Sequence, residues 1–389
     1  MESNNIILII LCILVVISYL FDIFSRRTRI PSVLLLLLTG IGLRMLTDYY
    51  QIETINFLHI IPALGTVGLI LIVFEGGLEL EYKKEKNRTI LNALLLSVLI
   101  MVATSVGIAF IFQYFTEETF HVCLVNAIPY SVISSAIAIP SAKGLSESKK
   151  EFITFESSFS DIFGIIFFHY AIAYEALSFV AIGHFTLEII LVSLVSFAFC
   201  MILLFLMKSI GHHVKFILII TVMILLYAVG KQYNLSSLIL VMFFGLIIKN
   251  ITKIQIPFIQ NQFNNEKFHR DFDFLHRITA EGVFLIKTFF FLIFGFIIDI
   301  YALLDVETLI IAGCMLFAIY FVRLIFLRLF NKSFMPELLY SPRGLISILL
   351  FLSLPHELKI SSVEESLLFM MVLGTSLVML FTVFSRNKQ

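Results

Sequence analysis

NAIPYSVISSAIAIPSAKG, residues 126–144, is apolar enough to lie inside a membrane, yet it carries Pro129 and Pro140 around a run of small hydroxyl residues. A proline inside a helix removes one backbone donor and crowds the carbonyl one turn back. In hydrocarbon there is no water to take up the freed groups, so broken backbone persists only where protein or a polar cavity receives it. The stretch therefore predicts a discontinuous membrane helix whose freed carbonyls line an ion site.

The rest of the chain agrees with a membrane setting. Of 389 residues 60% are hydrophobic and only 14% charged, and the mean hydropathy is +1.02. Segments long enough to cross about 30 Å of hydrocarbon fall near 6–24, 30–46, 59–80, 89–114, 122–141, 151–174, 187–207, 216–230, 235–250, 279–299, 307–330, 338–354 and 363–384. The first reads as a span and not a signal peptide, because no basic stretch precedes Ile6 and Arg26-Arg27 follow it. The expected fold is thus an all-α polytopic membrane protein of about 13 transmembrane helices.

Positive residues stay on the cytoplasmic side of a membrane protein. Counting alternate loops from Arg26 onward puts 21 of the 27 Lys and Arg residues on one face, against Arg44, Lys231 and Lys359 on the other. That bias predicts an outside N-terminus and a cytoplasmic C-terminus in a cell membrane. Thirteen spans divide as six, one and six, and the single span flips the second six, giving two inverted six-helix repeats with discontinuous crossing helices. The only sizeable polar stretch is 251–278, so residues 1–389 read as one transmembrane domain with no soluble regulatory domain. Zero net charge gives no basic surface for nucleic acid. The four cysteines lie in apolar runs without a CxxC pair, which points to neither a disulfide framework nor a zinc site, and no cofactor is implied.

Function must lie in ionisable groups within the membrane, which are costly there and face a cavity or one another. Counting at 1.5 Å per residue from the nearest cytoplasmic charge, Asp161 lies about 16 Å deep, Lys287 about 15 Å, Arg323 about 13 Å, Glu75 about 12 Å and Glu156 about 9 Å. Ser157 and Asp161 share one helix face at i and i+4, whereas Glu156 points away from Asp161. One helix thus offers an ion-ligand pair in one direction and a salt-bridge partner in another. Lys287 either snorkels or compensates charge, and Arg343, near the cytoplasmic end, has the same two options. His169 reads as a satisfied core histidine.

These residues resemble the monovalent cation:proton antiporters, in particular the sodium/proton exchanger branch. The motifs run in family order: RIPSVLLLLLTGIGL (29–43), LIVFEGGLEL (71–80), FESSFSDIFG (155–164), FFFLIFG (289–295), VRLIFLRLF (322–330) and SPRGLISILLFLSLP (341–355). The resemblance implies that Asp161 binds the proton and the cation, with Ser157 and Glu75 as auxiliary ligands of a transient monovalent ion. It implies that Glu156 pairs with Arg323 and that Arg343 is the arginine of the Gly-Pro-Arg-Gly element. Ser134-Ser135-Ala136 stand where the family usually has Thr-Asp-Pro, and Ser160-Asp161 where it has Asn-Asp or Asp-Asp. Ser134, Ser135 and Ser160 join the candidate ion-binding set, and the single acid argues against the electrogenic branch.

The expected activity is exchange of Na+, with K+ or Li+ as alternatives, for H+ by competition at one buried carboxylate. A core bundle (about 89–174 and 307–384) would move against a scaffold and dimer part (about 6–80 and 187–299) of a homodimer. A polytopic intramembrane enzyme and a cation channel are the alternatives; no HExxH occurs in the chain.

Overall fold

Apolar runs in lipid satisfy their backbone internally only as helices or closed barrels, and the apolar runs among the described residues are helical. The computed structural model describes residues 2–28, 30–50, 61–79, 87–142, 145–175, 179–209, 215–232, 237–251, 266–298, 303, 305–330, 335–361, 363 and 365–386, with no strand among them. In chain order the helices are α1 (Glu2–Thr28), α2 (Ser32–Tyr49), α3 (Ile61–Glu79), α4 (Asn87–Thr116), α5 (Phe120–Ser131), α6 (Ser135–Ser141) and α7 (Glu147–Ala173). They continue with α8 (Phe179–Ser209), α9 (Lys215–Gln232), α10 (Ser237–Asn250), α11 (Glu266–Ile297), α12 (Val306–Leu329), α13 (Leu345–Leu352) and α14 (Glu365–Arg386). By length and composition, seven spans among the described residues are suited to cross a bilayer, and shorter apolar helices accompany them.

Each expected span has a helical counterpart, with three differences of physical interest. The fifth span is two helices, α5 and α6, as the prolines suggested, but the break lies at Val132–Ser134 while Pro129 and Pro140 sit inside the helices. The twelfth span, expected as 338–354, is helical only over Leu345–Leu352. Pro336 and Pro342 disfavour helix at the residues before them, and the carbonyls of 337 and 341 are taken by buried arginines. The polar stretch 251–278 is not loop throughout, because α11 begins at Glu266; residues 252–265 lie outside the described residues.

The packing forms two compact units. The first comprises residues 1–64, 89–164 and 285–389, and the second residues 65–88 and 165–284. In the first unit α5 packs on α13, α12 on α14 and α1 on α2. Asp305 starts α12 by accepting from the Thr308 N–H at 3.0 Å and its hydroxyl at 2.9 Å, filling an orphan donor position of the helix end. In the second unit α10 packs on α8 and α9, and α3 approaches α10 closely enough that a Cβ on Gly77 would stand 2.7 Å from the Met242 carbonyl. Phe74 and Phe244 stack beside that contact at 5.6 Å. Apolar side chains that remain exposed, such as Leu194, Phe317 and Phe381, are what a bilayer-facing surface requires.

Candidate functional site

Two irregular segments cross in the first unit, Val132–Ser134 between α5 and α6 and Tyr340–Gly344 ahead of α13. Buried backbone donors and acceptors need partners, and here the two breaks supply them to each other. The Ser134 N–H donates to the Pro342 carbonyl at 2.9 Å. Arg343 donates from Nε to the Tyr130 carbonyl at 2.6 Å and from a terminal nitrogen to the Ser341 carbonyl at 2.8 Å, and its own N–H donates to the Thr375 hydroxyl at 2.9 Å. Gly344 lies directly against Ser134; a Cβ there would stand 2.5 Å from Ser134 Oγ. Absence of a side chain at 344 is what lets the segments cross.

α7 runs past this crossing and meets it with two side chains. Ser160 accepts the Ile133 N–H at 2.9 Å. One residue on, Asp161 accepts the Ser135 N–H on its Oδ2 at 3.2 Å. Ser157, one turn before Asp161 and fully buried, donates its hydroxyl to the Ile153 carbonyl at 2.8 Å. Its proton is thereby committed to the helix, and its oxygen keeps lone pairs for a cation.

The other acid of α7 is engaged elsewhere. Glu156 and Arg323 are each 1% exposed and form a bidentate pair with both contacts at 2.8 Å. Arg323 also donates from Nε and a terminal nitrogen to the Glu337 carbonyl at 3.0 and 2.8 Å. A planar guanidinium fork suits this double duty, whereas an ammonium does not. Lys149 fastens the same segment by donating to the Met335 carbonyl at 2.9 Å and lying 3.7 Å from the Glu337 carboxylate.

Of the expected site residues, Asp161, Ser160, Ser134 and Ser135 thus come together at the α5–α6 break, Ser157 lies one turn along α7 and bonds within its own helix, and Glu156 and Arg323 form a pair. Arg343 does not snorkel: it is 1% exposed and bound to the Tyr130 carbonyl near the end of α5 and to the Ser341 carbonyl of its own segment. Lys287 is half-buried on α11 in the first unit, and Glu75 is half-buried on α3 in the second. Among the described residues no three His, Cys, Asp or Glu side chains cluster as a resident metal would need.

The transmembrane sodium/hydrogen exchanger family model matches residues 10–386. The chain belongs to that family. The exchanger is therefore a multi-pass membrane transporter, a cation:proton antiporter and not an enzyme. Its fold is similar to that of the sodium proton antiporter MjNhaP1 from Methanocaldococcus jannaschii at pH 8, with a TM-score of 0.70 and 18% identity over 99% of this chain and 96% of that one. An electron-microscopy structure of the same antiporter gives a TM-score of 0.67 at 16% identity, again over 99% and 96% of the two chains. No curated protein matches the sequence.

Sequence reasoning passed over three residues of the exchanger that hold the breaks. Asn126 donates to the carbonyls of Val122 at 2.8 Å and Leu358 at 2.6 Å and accepts from the Ile360 N–H at 3.3 Å, tying α5 to the segment after α13. Thr375 receives the Arg343 N–H. Tyr340 donates from its hydroxyl to the Ser141 carbonyl at 3.0 Å, closing the end of α6. Each is a polar residue within or beside an apolar run, and that contrast was the available signal.

Proposed function

We propose that this exchanger swaps one Na+ for one H+ without net charge movement, through competition of the two ions for Asp161. The observation that carries the reading is the position of the Asp161 carboxylate against the Ser135 N–H at the break, with Ser157 one turn away. Glu156, the neighbouring acid, is already neutralised by Arg323. An ionised carboxylate cannot cross a low-dielectric region cheaply, so it must carry a proton or a cation before the helices bearing it move. Both ligands are monovalent and bind in place of one another. Each half-cycle then carries the same charge, and exchange is electroneutral. Ser160 supports this, because a serine bonded to Ile133 occupies the place where a second acid would add another titrating charge.

The wider arrangement follows the same reading. The two breaks fall in the fifth and the twelfth spans, equivalent places in two six-span halves separated by one span, which supports an inverted-repeat plan. The bundle of 89–174 and 307–384 would carry Asp161 across a scaffold formed by 6–80 and 187–299, where a homodimer would be built. The arginine and lysine bias supports a cytoplasmic C-terminus.

The test is dissipation of a pH gradient in proteoliposomes on addition of Na+, K+ or Li+ in turn. Na+ should give the fastest response, and clamping the potential with K+ and valinomycin should leave the Na+-driven rate unchanged. Asp161→Asn should abolish exchange while keeping the melting temperature close to wild type. Retention of the wild-type rate in that variant through the neutral pH range would remove Asp161 from the mechanism, and a marked voltage dependence would remove electroneutrality.

A further inference from the structure

Away from the breaks, the second unit contains a groove of about 530 Å³ lined by Thr66, Val67 and Ile70 of α3 and Ile224, Tyr227, Ala228, Lys231 and Gln232 of α9. Its size falls within the roughly 300–1,000 Å³ of pockets that hold an organic ligand. The two helices meet here by opposite ends: Thr66 lies near the start of α3, and Lys231 and Gln232 close α9. Polar groups therefore gather at one mouth. From Lys231 to Ile224 is seven residues, so the apolar floor of Val67, Ile70, Ile224 and Ala228 reaches about 10 Å below that mouth. Lys231 and Gln232 are exposed, and the lining holds one cation and no acid. Outside the groove α9 continues as apolar surface, with Leu225 at 56% and Val229 at 41% exposure.

We propose that this groove is a binding site for an anionic phospholipid, with the headgroup phosphate on Lys231 and the upper acyl chain over Ile70 and Ile224. Three features select that occupant. The groove is amphipathic along the axis of α9, polar at its Lys231–Gln232 end and apolar toward Ile224, as a lipid is along its length; a soluble anion would leave its apolar floor in contact with water. Its only charge is positive, so an anionic headgroup is favoured over a zwitterionic one, by about 1 kcal/mol for one lysine near the surface. Its floor runs on into the exposed apolar face of α9, so a chain can enter sideways from the bilayer. Tyr227, with an apolar ring and a polar tip, suits the headgroup level. None of these residues belongs to the candidate ion site, so the inference stands apart from the exchange mechanism.

The experiment uses the full-length purified protein with phosphatidylglycerol, phosphatidylcholine and soluble glycerol phosphate as separate probes, read by native mass spectrometry of retained lipid and by melting temperature. Wild type should retain phosphatidylglycerol about five-fold more strongly than phosphatidylcholine, the factor that corresponds to about 1 kcal/mol. Lys231→Glu should remove or reverse that preference without changing the melting temperature in phosphatidylcholine. Ala228→Phe, which fills the floor, should reduce retention of both lipids. Exchange in phosphatidylcholine vesicles should be unchanged in both variants, which reports that they fold. Equal retention of the two lipids by wild type would overturn the proposal, as would a preference that survives both substitutions. So would a melting shift by glycerol phosphate equal to that of the lipid, or efficient Ala228→Cys cross-linking of two chains through the groove.

Discussion

Removing either member of the Glu156–Arg323 pair should destabilise the exchanger by different amounts, and the structure fixes the order. Glu156→Gln leaves a buried guanidinium without its carboxylate, at a cost of about 3–5 kcal/mol, while the two bonds from Arg323 to the Glu337 carbonyl persist. Arg323→Met strands the Glu156 carboxylate at the same cost and also leaves the Glu337 carbonyl without these donors, adding about 1–3 kcal/mol. The double variant Glu156→Leu with Arg323→Met buries no charge and retains only that carbonyl penalty of about 1–3 kcal/mol. Melting in mild detergent should therefore rank wild type above the double variant, then Glu156→Gln, then Arg323→Met. Exchanging the two residues should restore little, because a carboxylate at 323 would face the Glu337 carbonyl oxygen. The reasoning is refuted if the double variant melts no higher than Arg323→Met. It also fails if Glu156→Gln melts like wild type while its apparent Na+ affinity collapses, since Glu156 would then be an ion ligand.

Gly344→Ala should cost about 1–3 kcal/mol as overpacking and slow exchange, because the new Cβ would stand 2.8 Å from Ser134 Cβ; pairing it with Ser134→Gly should recover part of both in the same melting and liposome assays. Ser160→Ala should cost about 1–3 kcal/mol by orphaning the Ile133 N–H, visible as faster amide exchange at Ile133, whereas Ser160→Asn keeps an acceptor and should retain transport. Asp305 lies at the start of α12, where hydrogen bonds from Thr308 hold its carboxyl below the usual aspartate range. Its contribution is therefore full above the unfolded aspartate pKa and is lost as pH falls through the folded one, so the melting difference between wild type and Asp305→Ala should shrink under acid.

Much of this architecture is legible because lipid leaves few options: a long apolar run becomes a helix. The broken fifth span was legible in kind and not in position. Pro129 and Pro140 announced a disturbance, but the chain actually opens at Val132–Ser134, where Ser160 and Pro342 offer alternative partners. Such partners come from distant sequence, and no local pattern reports them. Arg343 illustrates the same limit. Read along the chain it stands near a span end and has the option of snorkelling; in the fold it reaches the Tyr130 carbonyl, more than two hundred residues away. The meeting of Glu156 with Arg323 was suggested by family resemblance, since helix periodicity alone gives their depths and not their facing. The helical start of α11 was hidden because Glu266–Arg277 is charged, and charge in a membrane protein reads first as loop.

The crossing of the two breaks also bears on biosynthesis. The carbonyl of Tyr130 and the N–H of Ser134 are completed by Arg343 and Pro342, which leave the ribosome only after most of the chain has been made. Until then the first six spans must reside in the bilayer or its insertion machinery with these polar groups waiting, a state that costs several kcal/mol per unsatisfied group in hydrocarbon. A nascent or truncated exchanger that lacks Pro342 and Arg343 therefore cannot complete the crossing of the two breaks.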